Sequence, residues 1–343
     1  MSKAPAALRV GMSRLTPPLS TTVSTAWKPE SASSFTVGAF IDGSTASTRG
    51  RSASATFSLI STLERATLAL FEAADLPVKR GGDRDYHGTI DDPRVERVSL
   101  LRPQEIPRYV EEGFFDLGIT GRDWIEETGS KVVSLAELPY SKQTSNPVRV
   151  VLAVHRDLGA TKPEDLQPGL RVSTEFPNLT KRYFAELGLP ARIFPSYGAT
   201  EAKVPEIVDA VVDLTETGST LRSHGMVVIA TLLTSYTEVV ANPEAAADPE
   251  RRQAMDDLLT LLVGAATARS KVLIKLNVAD ADLSRVLAVL PSMKAPTINE
   301  LADSGFHAVE TVVDKAGVNR LIPTLKAAGA FDILELPISK IVA

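Results

Sequence analysis

The sequence predicts an α/β protein of two parallel-sheet lobes followed by a small ferredoxin-like βαββαβ domain. Residues 94–121 read strand, helix, strand, the order in which a parallel sheet is laid down. Residues 147–228 repeat that alternation as a second unit. From 271 the rhythm changes to strand, helix, strand, strand, helix, strand.

The elements follow in chain order. In the first unit, Leu63, Ala66, Leu70 and Phe71 recur at helical spacing before a Gly81-Gly82 break. Arg94 to Leu101 reads as a strand, Pro103 to Glu112 as a helix opened by proline, and Phe115 to Thr120 as a buried strand ending at Gly121. In the second unit, Val148 to Val154 and Arg171 to Thr174 read as strands. A helix over Leu179 to Leu187 stops at Gly188. Strands at Met226 to Thr231 and Thr237 to Ala241 lead back toward the first unit, ahead of a charged helix from Pro249 to about Ala268. The final domain opens with Val272, Ile274, Leu276 and Val278 alternating at period two. Helices over 281–290 and 318–328 then separate strands near 295–301, 306–313 and 331–336.

These boundaries divide the chain into a first lobe (61–146 and 229–270), a second lobe (147–228) and a C-terminal domain (271–343) behind a linker near 268–271. Residues 1–60 stand apart, rich in Ser, Thr and Ala with Glu30 and Asp42 as their acids. That composition suits an organellar transit peptide, a low-complexity insertion, or sequence translated in error from an unspliced intron or a shifted frame, with little order expected between Ser13 and Ala55 and Leu8 to Met12 a candidate first strand. Cytoplasm is the default location; a plastid follows if the segment is a transit peptide.

Bulk properties narrow the function. At 343 residues the chain has room for two or three domains. A net charge of -5 argues against a general nucleic-acid binder, so an anionic ligand must be held locally. There are no cysteines, which excludes disulfides, thiolate metal sites and cysteine nucleophiles. No apolar run reaches the ~18 residues that a membrane helix needs. His87, His155, His224 and His307 show no metal-ligand spacing, and no G-x-x-x-x-G-K-[ST] loop is present.

The chemistry concentrates between Glu201 and Leu221. A strand over Val208 to Leu214 would put Asp209, Val211 and Asp213 on one face, with two carboxylates toward its C-terminal end. Thr217-Gly218-Ser219-Thr220 then supplies three hydroxyls and a glycine that lets backbone N–H groups approach a phosphate. Carboxylates for sugar hydroxyls beside a nest for a phosphate suit a phosphorylated sugar. A Thr-Gly-Ser-Thr turn alone is more often a solvated turn; with Glu201 and the paired acids the constellation gains weight. A second segment, Asp116 to Asp123, ends a buried strand in Gly118-Ile-Thr120-Gly121, where a ligand could approach the sheet edge. Glu175, Lys181 and Arg182 lie near a helix start.

Glu201, Asp209, Asp213, Thr217, Gly218, Thr220 and Leu221 together resemble the phosphoribosyl-pyrophosphate signature of the ATP phosphoribosyltransferase family. Arg102-Pro-Gln-Glu-Ile-Pro-Arg108, Asp116 to Trp124 and Thr174 to Arg182 extend the likeness from about Leu63 to the C-terminus. The resemblance implies a periplasmic-binding-protein-like catalytic core of two lobes and, in this long form, a C-terminal regulatory domain. It implies that ATP and phosphoribosyl pyrophosphate condense to phosphoribosyl-ATP in the first step of histidine biosynthesis. By that resemblance Asp209 and Asp213 hold the ribose as catalytic carboxylates, and Glu201 and Thr217 to Leu221, Ser219 included, bind phosphoribosyl pyrophosphate. Asp116, Gly118, Thr120, Gly121, Asp123, Glu175, Lys181 and Arg182 would form the ATP side. Mg²⁺ accompanies the pyrophosphate with protein ligands unknown, histidine inhibits, and dimers assemble to a homohexamer. The N-terminus departs from the pattern: residues 13–62 separate the first strand from the helix, and the family's short basic loop is missing. Outside the family, a two-lobed anion-binding or solute-binding protein and a non-catalytic amino-acid sensor fit the same lobes.

Overall fold

The computed structural model describes residues 8–12, 55–58, 61–82, 85–138, 147–291, 295–302 and 305–342. Lobe I begins with β1 (Leu8–Met12), β2 (Ala55–Ser58), α1 (Ser61–Ala73), β3 (His87–Gly88), β4 (Val95–Leu101), α2 (Ile106–Glu111), β5 (Leu117–Gly121), α3 (Arg122–Thr128) and β6 (Val133–Leu138). Lobe II comprises β7 (Val148–His155), β8 (Leu170–Thr174), α4 (Pro177–Glu186), β9 (Ala191–Pro195), β10 (Ala210–Thr215), α5 (Ser219–Ser223) and β11 (Met226–Ser235). The chain then returns to lobe I with β12 (Thr237–Ala241), α6 (Pro243–Ala247) and α7 (Pro249–Ala268). The C-terminal domain holds β13 (Lys271–Ala279), α8 (Asp280–Val289), β14 (Thr297–Glu300), β15 (Phe306–Asp314), α9 (Val318–Ala327) and β16 (Phe331–Pro337).

The lobe I sheet runs β1-β4-β2-β5-β12-β6, with β3 also on β4. Strands β1, β4, β2 and β5 are mutually parallel, and β12 enters antiparallel between β5 and β6. A sheet covered on its faces buries near-continuous apolar strands. Val98, Leu100, Leu117, Ile119 and Val239 accordingly share one core with Leu70 and Phe71 of α1 and Met255, Leu258 and Leu262 of α7. Both helices of the return segment start at built caps. Asp248 accepts from the N–H groups of Glu250 and Arg251 with Pro249 at the first helical position, and Asn242 does the same for Glu244 and Ala245. The Asn242 amide also donates to the carbonyls of Val110 and Glu111, which ties the end of α2 to the start of α6.

Lobe II is a five-stranded sheet, β11-β7-β10-β8-β9, in which β8 is parallel to β9 and β10 while β7 runs antiparallel to β10 and β11. The C-terminal domain is an antiparallel sheet in the order β14-β15-β13-β16. Its alternating residues Val272, Ile274, Leu276 and Val278 bury against Val286 of α8 and Leu325 of α9, which is the ferredoxin-like arrangement. The tail beyond β16 folds back on α7, where Ile341 N–H donates to the Gly264 carbonyl and Lys340 pairs with Asp75.

Two boundaries differ from the sequence reading. Residues 229–235 belong to lobe II, because β11 pairs with the whole of β7, from Met226 opposite His155 to Ser235 opposite Val148. The crossing to lobe I falls at Tyr236. Within the segment read as leader or insertion, Ala55–Ser58 forms β2, placed between β4 and β5 in the lobe I sheet. A four-residue strand among polar residues carries too little periodicity to be read alone. The expectation of little order from residue 13 to 54 concerns residues outside the described ones.

Candidate active site

The parallel strands β8, β9 and β10 end at one edge of lobe II, so the segments that follow them converge there. Ligands of open α/β sheets bind at that edge. Val212 of β10 is registered with Thr174 of β8, and Thr174 with Pro195 of β9. The residues beyond those ends are Glu175, the stretch Ser196 to Glu201, and Asp213 to Leu221.

The turn after β10 is built around Gly218. Its φ is +73°, its N–H donates to Thr215 Oγ1 at 2.8 Å, and a Cβ there would stand 2.9 Å from Arg222 Nη1. Left-handed backbone in that space is glycine's territory. The turn is stitched further by Thr217 Oγ1 donating to Ser219 Oγ at 3.1 Å and by Arg222 Nη1 donating to the Thr217 carbonyl at 2.9 Å. Thr217, Ser219 and Thr220 stay exposed while Leu221 is buried with Val211. Since first-turn N–H groups of a helix lack intrahelical acceptors, the start of α5 offers donors beside those hydroxyls. Asp213 is half-buried on the strand face that carries Val211, and its Oδ1 accepts from Leu214 N–H at 2.7 Å. Glu201 opens a single 3₁₀ turn, Glu201–Lys203, beyond the end of β9.

Asp209 is not part of that edge. It precedes β10, four residues before Asp213, roughly 13 Å away along an extended strand. There Arg171 holds it bidentately, Nη2 to Oδ1 at 2.7 Å and Nε to Oδ2 at 3.1 Å, with the Arg171 N–H adding 2.8 Å. These hydrogen bonds from Arg171 hold its carboxyl below the usual carboxylate range, against the opposing effect of burial. The pairing of Asp209 with Asp213 at the strand's C-terminal end is therefore corrected. Period two puts both on one face but says nothing of which end each occupies.

The segment Asp116 to Asp123 is used largely by the fold. Asp116 lies before β5, 6% exposed, with its Oδ1 3.2 Å from Arg251. Gly118 is buried mid-strand between β2 and β12. Thr120 donates from Oγ1 to the Pro103 carbonyl at 3.3 Å. Asp123 accepts from Ser235 Oγ at 2.6 Å, and that oxygen accepts from Asp123 N–H at 3.0 Å. A Cβ on Gly121 would meet Asp123 Oδ1 at 1.9 Å, so its glycine serves this lock at the crossover between lobes. Asp116, Thr120 and Asp123 are thus engaged within the fold, and Gly118 is buried in the sheet. Gly121 remains at the strand's end.

The start of α4 is likewise occupied. Pro177 has no N–H, so Asn178 and Leu179 carry the helix's orphan donors, and both donate to the Glu127 carboxylate of α3, at 3.0 and 2.8 Å. Arg182 Nη2 donates to the Glu126 carbonyl at 2.7 Å, while Lys181 is exposed and Glu175 half-buried. The basic pair near a helix start therefore does not present that helix terminus to a phosphate. The reading of the sequence passed over Glu127, because a Glu-Glu pair on a short helix looks like solvated surface. It also passed over Lys203, a basic residue inside the Glu201 to Asp209 spacer, whose Nζ donates to Ser196 Oγ at 2.5 Å. Among the described residues no group of three or more His, Asp or Glu side chains is placed to hold a metal ion.

Known proteins share these features. A family profile described as ATP phosphoribosyltransferase matches residues 102–264, and one described as its C-terminal domain matches residues 268–340. The ATP phosphoribosyltransferase of Pelotomaculum thermopropionicum is 45% identical over 282 residues, 82% of this chain and 96% of the relative. That of Desulforudis audaxviator is 46% identical over the same shares. Among solved structures, the ATP phosphoribosyl transferase (HisG:HisZ) complex from Thermotoga maritima matches at a TM-score of 0.50 and 27% identity, over 58% of this chain and 92% of that one. With relatives of that identity spanning nearly their full length and profiles covering lobe II, lobe I from residue 102 and the C-terminal domain, the chain belongs to the ATP phosphoribosyltransferase family, in its long form.

Proposed function

We propose that the edge formed by β8, β9 and β10 binds phosphoribosyl pyrophosphate and presents its C1 to the adenine of ATP. The observation that carries this is the turn Thr217 to Leu221 set beside Asp213, with Glu201 beyond the end of β9, two strands over at the same edge. Hydroxyls of Thr217, Ser219 and Thr220 and the N–H groups opening α5 donate to the 5′-phosphate. Sugar hydroxyls donate to Asp213 and Glu201. The N1 lone pair of adenine forms the new bond to C1 as the C1–O bond breaks, and that electron pair leaves with pyrophosphate. Positive charge gathers on the sugar ring meanwhile, and fixed carboxylates beside it lower the barrier without proton transfer at C1.

This is the first step of histidine biosynthesis. The family generally uses a divalent metal, and we read it as Mg²⁺ carried in with the pyrophosphate. Substrate oxygens would supply most of its ligands, which suits a chain with no three-residue metal cluster among the described residues. On the ATP side the candidates are Asp116, Gly118, Thr120, Gly121, Asp123, Glu175, Lys181 and Arg182. We assign histidine inhibition to the domain beginning at β13. The exposed Phe331, Leu334 and Leu336 of β16 support a homo-oligomer of dimers up to a hexamer. Bacterial relatives support a cytoplasmic location, and no helix among the described residues is long and apolar enough to cross a membrane.

The test is formation of phosphoribosyl-ATP from the two substrates. Asp213→Asn should lower turnover about a hundredfold or more, a far larger loss than that from Lys181→Ala. An Asp213→Asn protein as active as the wild type would remove Asp213 from the site. Binding without product would favour an anion-binding protein or a sensor.

A further inference from the structure

Lys203 ends the 3₁₀ turn after β9 and reaches back over the strand ends. Its Nζ donates to Ser196 Oγ at 2.5 Å and lies 3.5 Å from Ser173 Oγ. Those hydroxyls are 5% and 1% exposed. Ser196 Oγ also contacts Thr200 Oγ1 at 2.9 Å and the Gly198 carbonyl at 3.3 Å, so its hydrogen-bonding capacity is already shared. Among the described residues no carboxylate stands within ion-pair distance of Nζ. Other guanidinium groups of lobe II are engaged differently: Arg171 by Asp209, Arg222 by its own turn, Arg182 by Glu126. An ammonium has three donors, and neutral hydroxyls at most partly repay its removal from water.

The ammonium is also on the right face. Ser173 is registered with Val211, so the two share a side of the sheet, and Asp213 follows two residues on along that side. On standard sheet spacings Ser173 and Asp213 are roughly 8 Å apart. Val204, next to Lys203, packs in one cluster with Val211 and Leu221 of α5. Lys203, Asp213 and the start of α5 thus lie on one face of the sheet at its C-terminal edge.

We propose that Lys203 binds the pyrophosphate leaving group of phosphoribosyl pyrophosphate; the inference rests on the substrate reading of the preceding section. The turn at Thr217 to Thr220 already supplies hydroxyl and N–H donors for the 5′-phosphate, whereas Lys203 brings a full positive charge to the ends of β8 and β9. As the C1–O bond breaks, negative charge accumulates on the departing oxygen, and the ammonium stabilises it there.

The experiment compares wild type, Lys203→Met and Lys203→Arg in product formation and in inhibition by inorganic pyrophosphate. Lys203→Met should lower kcat/KM for phosphoribosyl pyrophosphate about 30-fold and weaken pyrophosphate inhibition similarly, with KM for ATP within about twofold. Lys203→Arg should recover most of both. Unchanged pyrophosphate inhibition in Lys203→Met, beside an active wild type, overturns the assignment and spares the reaction. A measurement on the wild type alone covers a variant that misfolds or a wild type that makes no product. Acylation of Lys203 by an N-hydroxysuccinimide ester, mapped by mass spectrometry, should slow with pyrophosphate and not with chloride at equal ionic strength. Equal acylation under the two conditions also overturns it. A wild type without product but with protected Lys203 would instead count against the reaction proposed above.

Discussion

Replacing Glu127 with alanine should loosen the first turn of α4 without touching either core. The side chain is 6% exposed, and its carboxylate accepts from Asn178 N–H at 3.0 Å and Leu179 N–H at 2.8 Å. The helix has no other cap: Phe176 at its N-cap makes no side-chain bond, and Thr180 N–H already donates to the Phe176 carbonyl. Truncation therefore leaves the buried Leu179 donor and the part-buried Asn178 donor without an acceptor, at a cost of about 1–3 kcal/mol for the buried one and less for the other, and removes a negative charge from a helix N-terminus. Cavity water can recover part of this, so about 3 kcal/mol is the expected local loss. At 1.4 kcal/mol per factor of ten, that is about a hundredfold. Amide hydrogen exchange read by mass spectrometry is the assay. Asn178 and Leu179 should exchange about a hundred times faster in Glu127→Ala, while Val211 and Val212 in β10 keep wild-type protection. Glu127→Gln, which keeps one acceptor oxygen, should fall between. Because Trp124 of α3 also packs on Phe176 at 4.7 Å, that contact could hold the turn by itself. Exchange at Asn178 and Leu179 within about threefold of wild type would show that it does, and would refute the cap.

Asp209→Asn should lower Tm at pH 7 by about 2 °C and leave KM for phosphoribosyl pyrophosphate unchanged, since Arg171 and not substrate holds that carboxylate. Its pKa is lowered in the folded state, so its contribution is present above the unfolded value of about 3.9 and is lost as pH falls through the folded one. The Tm gap between wild type and Asp209→Asn should therefore shrink below about pH 4, and a gap that widened there would contradict the pairing. Deleting residues 271–343 should abolish inhibition by histidine in the phosphoribosyl-ATP assay; inhibition retained by the truncated chain would remove the regulatory role from the C-terminal domain.

The sequence by itself determined the order of most longer elements, though not strands β2, β6 and β9, since the periods of two and 3.6 and the helix signals at Pro249 and Gly188 are local properties of neighbouring residues. It also determined where to look for a sugar-phosphate site, because Thr217-Gly218-Ser219-Thr220 makes its turn from its own side chains, with Gly218 needed for its backbone angle. Tertiary structure decided what distant residues do to one another. Asp209 and Asp213 look equivalent along a strand, yet Arg171, on another strand, claims only the first. Asp123 shows no partner in the local pattern, yet Ser235, more than a hundred residues on, closes against it at the crossover. Glu127 caps a helix in the other lobe, and Lys203 stands over Ser173. Hydrogen bonds between such residues depend on how strands are ordered and lobes joined, and that information is carried by packing across the whole chain, beyond the reach of any local pattern.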